Sequence, residues 1–415
     1  MIKQLFVASV VGLFALSGAV AAGASTPNGP APTAIRVGAL LDLSGDGKTL
    51  GLASQAALEV AAEEIEEESD GDVTIELDIR DTGLDPAQAS SELQSLLDSG
   101  IRVVIGPQTS SEVRATIDQA NAAGALMISH GSTASSLALP DDAVYRLVPD
   151  DRVEAAATAD LIGEQGQSTV VTVHRNDPGN NGLVDSLGSA LPSDSTTVVG
   201  PVYEPDTTDF ADTVAALEGA LAEADASDKT AVYLAGFEEV AGLFAAAAAA
   251  THALAEVPWY GGDGSARGQA IIDDEDAAAF AAEVEGFPSP LLILSKKVLK
   301  NAADTIDEIE ERSGEQPDAF ALAAYDALQI AVEAESTVGP DATGPALQSA
   351  FAEAAEGYSG ITGEITLNDA GDRSTGRFAF YAVCEADGEF EWEKVGSWAP
   401  PKEAGEAGRV KYAGC

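Results

Sequence analysis

Short apolar runs rich in Val, Ile and Leu alternate along this chain with longer stretches whose apolar residues recur at helical spacing. "IRVGALLDL" precedes the helical pattern "LASQAALEVAAEEIEEE", "VTIELDIRDTG" precedes "PAQASSELQSLLDSG", "IRVVIGP" precedes "SSEVRATIDQANAAG", and "ALMISHGS" closes a fourth unit. The rhythm then repeats: "STVVTVHRNDPG" leads to "NNGLVDSLGSALP", "TTVVGPVYEP" to "FADTVAALEGALAEA", and "TAVYLAGF" to "EEVAGLFAAAAAATHALA". Strands that alternate with helices in this way form parallel sheets wrapped by helices. The pattern predicts an α/β protein of two similar Rossmann-like lobes, with the seam near Tyr145 to Ile162.

In open parallel sheets, ligands lie beyond the carboxyl ends of the strands. The loops there are "DLSGDGKTLG" (Asp42 to Gly51), "GPQTSS" (Gly106 to Ser111) and "SHGSTASS" (Ser129 to Ser136) in the first half. The second half supplies "HRNDPGNNG" (His174 to Gly182), "AGFEE" (Ala235 to Glu239) and "GGDGS" (Gly261 to Ser265). Hydroxyls and helix starts dominate the first set, and these donors suit a small anion such as a carboxylate. Ser110, Ser111 and Ser132 also suit helix capping, which is compatible with binding. Gly47-Lys48-Thr49 imitates the end of a phosphate-binding loop, G-x-x-x-x-G-K-[ST]. Its first glycine is replaced by Asp42, a carboxylate where the backbone should approach an anion, so a nucleotide site is not expected.

Met1 to Ala24 has one Lys, an apolar stretch and then small residues, the three-part layout of a secretory signal peptide with cleavage after Ala21 or Ala24. No Cys follows the apolar run, so a lipid anchor is not expected. Removing the leader leaves about 390 residues, enough for two domains, in a chain expected outside the cytoplasm. With 69 acidic and 21 basic residues the formal charge is -48. Nucleic acid and anionic membrane surfaces would be repelled. Acidic runs such as "EEIEEES" and "DDEDAAAF" read as solvated helix faces, and an acid excess of this size fits a protein working in high salt. The two cysteines, Cys384 and Cys415, read in an exported chain as one disulfide tying the tail "GRVKYAGC" to an earlier strand. The three histidines (His130, His174, His252) have no metal-ligand spacing, and no metal or other cofactor is expected.

The order "IRVGALLDLSG", "DTGLDPAQASSELQSLLDSGIRVVIGPQTSS", "GALMISHGSTASSL", "YRLVPDD", "EQPDAFALAAYDALQIAVEA" and "GITGEITLNDAGDR" resembles the periplasmic substrate-binding proteins of branched-chain amino acid ABC transporters over nearly the whole mature chain. The resemblance implies a type I periplasmic binding fold, two lobes joined by a three-segment hinge. It places residues 33–148 and 287–362 in lobe 1, 149–286 and 363–399 in lobe 2, and 400–415 in a C-terminal tail, after the signal peptide at 1–24. It also implies a receptor that closes on a small amino acid, or a related carboxylate or amide, and delivers it to a membrane permease, acting as a monomer. A ligand-sensing module of the same fold is the alternative. No G-x-S-x-G elbow, nucleophilic Cys or convincing His triad supports an exported enzyme.

Carried over residue by residue, the resemblance assigns the α-carboxylate to Ser110, with its neighbour Thr109, and to Thr133, with its neighbour Ser132. Gly131 would turn a carbonyl toward the ammonium, Asp263 would pair with it, and Phe237 would line the cleft. Two pocket tyrosines frequent in the family fall at Leu50 and Gly179. Their loss removes contact area and a polar handle, which implies a wider pocket or a different solute. Tyr203 and Tyr260 are the candidates to compensate.

Overall fold

The computed structural model describes residues 33–224, 229–250, 252–339, 342–401 and 407–415; the signal-peptide segment lies outside them. The first sheet is built from β1 (Thr33–Leu41), α1 (Lys48–Glu68), β2 (Val73–Asp81), α2 (Pro86–Asp98), β3 (Val103–Ile105), α3 (Ser110–Ala123), β4 (Leu126–Ser129) and β5 (Val144–Arg146). Its order is β2-β1-β3-β4-β5, all parallel. β3 and β4 are buried along their whole length, as strands covered by helices on both faces must be.

The chain then crosses through α4 (Asp151–Glu164) into β6 (Thr169–Arg175), α5 (Pro178–Ala190), β7 (Thr196–Tyr203), α6 (Ala211–Glu223), β8 (Thr230–Ala235), α7 (Val240–Ala248), β9 (Trp259–Gly261), α8 (Gln269–Asp273) and α9 (Glu275–Glu283). The second parallel sheet has the order β7-β6-β8-β9. The repeated β-α rhythm of the sequence is thus two parallel sheets, each with its own helices.

From β10 (Ser289–Leu292) the chain returns through α10 (Lys296–Asn301), α11 (Ala303–Ser313), α12 (Ala319–Val338) and α13 (Pro345–Ala355). α12, buried over most of its length, packs against α1 of the first lobe. A hairpin of β11 (Ser359–Gly360) and β12 (Gly363–Glu364) follows, then β13 (Phe378–Ala386), β14 (Glu389–Ala399) and β15 (Arg409–Tyr412). The last three join β10 in an antiparallel sheet, order β10-β13-β14-β15. Its antiparallel order was not legible from the β-α pattern that precedes it. Cys384 on β13 and Cys415 are disulfide-bonded with Cα atoms 5.5 Å apart, as expected from the sequence.

The glycine loop after β1 is a single 3-10 turn, Gly45–Gly47, and α1 starts at Lys48. Gly51 has no room for a side chain, since a Cβ would lie 1.9 Å from the Asp42 carbonyl oxygen. The loop therefore closes on Asp42, whose carboxylate accepts from the Leu84 amide at 2.7 Å and the Thr82 hydroxyl at 2.8 Å. Those donors come from the loop after β2, so Asp42 ties the two loops together.

Candidate functional site

The loops after β3 and β4 fold onto each other. Ser129 donates to the Pro107 carbonyl at 2.6 Å and accepts from the Ser132 amide at 3.0 Å. Gly131 lies flat against Gln108, where a Cβ would meet its side chain at 2.7 Å. This brings the Ser110 and Ser132 hydroxyls to 3.0 Å, with Ser110 also accepting from the Ala134 amide at 3.1 Å. Ser110 is the first residue of α3 and Thr109 its N-cap, so these hydroxyls sit at the positive end of a helix. Arg146, fully buried, holds the loop from behind: it donates to the Ala134 carbonyl at 2.8 Å and makes a two-pronged pair with Asp372, at 2.5 and 2.8 Å. Burial holds His130 uncharged, its pKa pushed down to about 4.

The second lobe meets this surface with the start of α5. Asp177 caps that helix through the Asn180 amide at 2.9 Å. At Gly179 a Cβ would stand 3.6 Å from the Ser110 hydroxyl, so the backbone of one lobe touches the hydroxyl surface of the other. The starts of α3 and α5 thus face the same point. Farther along the contact, Ser135 and Ser186 hydroxyls lie 3.2 Å apart. An anion placed here would be met by two helix N-termini and by hydroxyl donors.

Beside it is a group of opposite character. Asp151, at the start of α4, accepts from the Ser135 amide at 3.2 Å, and its own amide donates to the Thr133 carbonyl at 2.8 Å. The Thr133 side chain lies near enough to the Asp151 carboxyl to favour its charged form. Glu154, one turn on, accepts from the Asp263 amide at 3.0 Å, and the two carboxyl groups are close enough to influence each other's ionisation. The Tyr233 hydroxyl is buried near the same three acids without a hydrogen-bond partner. Burial raises all three, helped at Asp151 and Glu154 by the charge of Asp263 and at Asp263 by that of Asp318: Asp151 to about 7, Asp263 to about 6 and Glu154 well above the ordinary carboxyl range. Of Glu154 and Asp263, Glu154 is raised the further, and Asp263 keeps part of its surface exposed.

A third group flanks the start of α5. The Arg175 guanidinium lies over the Phe237 ring, 5.1 Å from its centre, and pairs with Asp177 at 3.1 Å and Glu239 at 3.5 Å. Glu239 in turn accepts from the Tyr203 hydroxyl at 2.9 Å and the Phe237 amide at 3.2 Å. Tyr203 thus supports the Phe237 loop from beneath, buried edge-on to Phe210. Tyr260 has Glu285 and Tyr412 as charged or titrating neighbours, on the side of the C-terminal strand. The compensation expected of Tyr203 and Tyr260 is not seen in these contacts; what covers Phe237 is Arg175.

Of the residues named from sequence, Ser110, Ser132 and Gly179 meet directly, and Thr109, Gly131 and Thr133 belong to the same pair of loops. Asp263 and Phe237 end neighbouring strands of the second sheet. Leu50 lies in the first turn of α1, and its side chain is outside the described residues. Sequence reasoning missed Asp151, Glu154, Tyr233, Arg146 and Arg175. Glu112 had a readable signal, since Thr109 followed three residues later by Glu is the spacing of a capping box, which α3 forms. Asp151 and Glu154, in a helix that begins after "VPD", carried no comparable mark.

The sequence profile of a family described as periplasmic binding protein matches residues 34–389, and the chain belongs to that family. Its fold and its family are those of binding proteins. An uncharacterized protein of Methanocaldococcus jannaschii is 28% identical over 395 residues, covering 90% of this chain and 92% of its own. Among solved structures, the branched-chain amino acid transporter substrate binding protein LivJ from Streptococcus pneumoniae, in complex with isoleucine, superposes with a TM-score of 0.65 at 20% identity, covering 87% of this chain and 100% of its own. A solute binding protein of an ABC transporter from R. palustris, in complex with benzoate, gives 0.67 at 21% identity, covering 87% and 96%.

Proposed function

We propose that this protein is the extracytoplasmic receptor of an ABC importer and that it binds an amino acid zwitterion between its lobes. The observation that carries this reading is the opposed polarity of two adjoining surfaces. Ser110, Ser132 and Thr133 with the starts of α3 and α5 form a cradle for a carboxylate. Asp151 and Asp263 form a socket for an ammonium, in which no cation faces Asp263 among its strongest influences. One solved relative holds isoleucine and another benzoate. A benzoate has no cation to offer the socket, which favours the amino acid. The polar cover of Phe237 by Arg175 favours a side chain that accepts hydrogen bonds over a purely branched aliphatic one.

In this reading the protein has no catalytic role. Residues 1–24 are removed on export, the mature protein works in the periplasm as a monomer, and its partner is a membrane permease. The lobes divide at the boundaries given above, with residues 363–373 bonded to β5 through the Arg146–Asp372 pair. A disulfide suits an oxidising compartment, and the charge of -48 suits a saline one.

A thermal-shift screen of amino acids, their amides and benzoates tests the ligand class. A ligand at 100 times its Kd adds about 2.7 kcal/mol of stability. A response to benzoates and to no amine-bearing solute would overturn the zwitterion. Intact mass of the exported protein tests cleavage, and a melting temperature that fails to rise with sodium chloride removes the saline habitat.

A further inference from the structure

Behind the Ser110 cradle lies a second pair of carboxyls, Asp42 and Glu112, at 1% and 0% exposure. They come from different loops. Asp42 ends β1, and Glu112 is in the first turn of α3, two residues beyond Ser110. One oxygen of each is fully used: Asp42 Oδ1 by Thr82 and Leu84, and Glu112 Oε2 by the Thr109 hydroxyl at 2.5 Å and the Thr109 amide at 3.3 Å. The other oxygens, Asp42 Oδ2 and Glu112 Oε1, have no donor among the described residues. The two side chains are close enough to influence each other's ionisation. Two buried carboxylates cannot both be ionised at this contact; one proton between them satisfies both oxygens.

We propose that a single proton, carried by Glu112 and donated to Asp42, locks the loops after β1, β2 and β3 together and lowers the charge beneath the anion cradle from two negative groups to one. Glu112 is thus a positioning residue, acting on a bound carboxylate through Thr109 and Ser110. The inference rests on the cradle reading for its functional consequence only. The groups facing the pair are Asp81, Thr82, Leu84 and Thr109, with no cation among the strongest influences on either acid. Burial first, then the charge of Asp42, pushes Glu112 up to about 8. A capping-box glutamate is ordinarily ionised and occupies the helix dipole itself. Held neutral, it leaves that positive end to the solute.

The test needs no ligand. Glu112→Gln places an amide N–H where the proton sits, still donating to Asp42, while its oxygen still accepts from Thr109. Asp42→Asn does the reverse. Each single variant should fold, and the double variant should melt well below the sum of the two, because two amide N–H groups then face each other. The folded-state pKa of Glu112 is raised, so ionising it costs stability as pH climbs from the ordinary carboxyl range through about 8. Glu112→Gln escapes that cost: its melting temperature should exceed the parent's at pH 9, and the gap should close toward pH 5. Infrared difference spectra at pH 7 should show a protonated-acid carbonyl band that Glu112→Gln removes. Additive variants, or a melting gap indifferent to pH with no band lost, would overturn the proposal. Either result leaves the zwitterion reading standing, since that is tested by solute binding alone.

Discussion

Both sides of the cleft bury carboxyl groups just behind their contact surface, and they neutralise them differently. On the first-lobe side, Asp42 and Glu112 each accept from donors of the surrounding loops, and Asp372 is matched by Arg146. On the second-lobe side, Asp151, Glu154 and Asp263 crowd together with a partnerless Tyr233 hydroxyl. Buried charge without a counter-charge is costly, and in the proposed reading the ammonium of a solute supplies it to Asp263. On that reading the first set belongs to the architecture and the second to the ligand. Charge count alone would not separate them; the Arg146 guanidinium paired with Asp372 does.

That contrast can be broken from either side. Arg146→Met leaves Asp372 buried and alone and should cost about 3 to 5 kcal/mol of stability, read from urea denaturation; adding Asp372→Leu should recover most of it. Asp263→Asn should leave stability nearly unchanged while weakening the best amino acid from the screen by about 2 to 5 kcal/mol, measured by calorimetric titration. Equal losses of stability and affinity in that variant would merge the two classes of carboxyl. Ser110→Ala should cost the same solute roughly 1.5 to 3 kcal/mol, the worth of a hydrogen bond to a charged group.

The acid limb is smaller and gradual. In the proposed reading Asp151 and Asp263 meet an ammonium only when ionised, and with values of about 7 and about 6 they take up protons as pH falls. Affinity should therefore decline from pH 8 to pH 5, by about tenfold for each group one unit below its value. The smallest effect belongs to Glu154→Gln, which copies the protonated acid and should change affinity by less than about 1 kcal/mol. A large loss there would mean that Glu154 carries charge.

Much of this was legible in the sequence, and unevenly. The two parallel sheets follow from apolar runs separated by helical spacing, a signal repeated seven times. The meeting of Ser110 with Ser132 follows from both loops ending neighbouring strands. What was not legible depends on partners far apart in the chain. Asp42 looked like a misplaced phosphate-loop glycine because its partners, Thr82, Leu84 and Glu112, are tens of residues away. Glu154 looked like one more acid in an acidic chain, until the loop carrying Asp263 came to lie over it. Arg146 gave no sign of holding a binding loop, since its counter-ion is 226 residues away.

That separation has a kinetic consequence. The loop presenting Ser132 and Thr133 is made early in the chain, yet its buried support arrives only when Asp372 has been synthesised and has returned to β5. Long-range contacts of this kind close late, because chain entropy is lost before they reward it. The cradle should thus be among the last parts of the first lobe to become protected against hydrogen exchange during refolding, well after α1 and β1. A receptor assembled in that order cannot hold its solute until nearly the whole chain is in place.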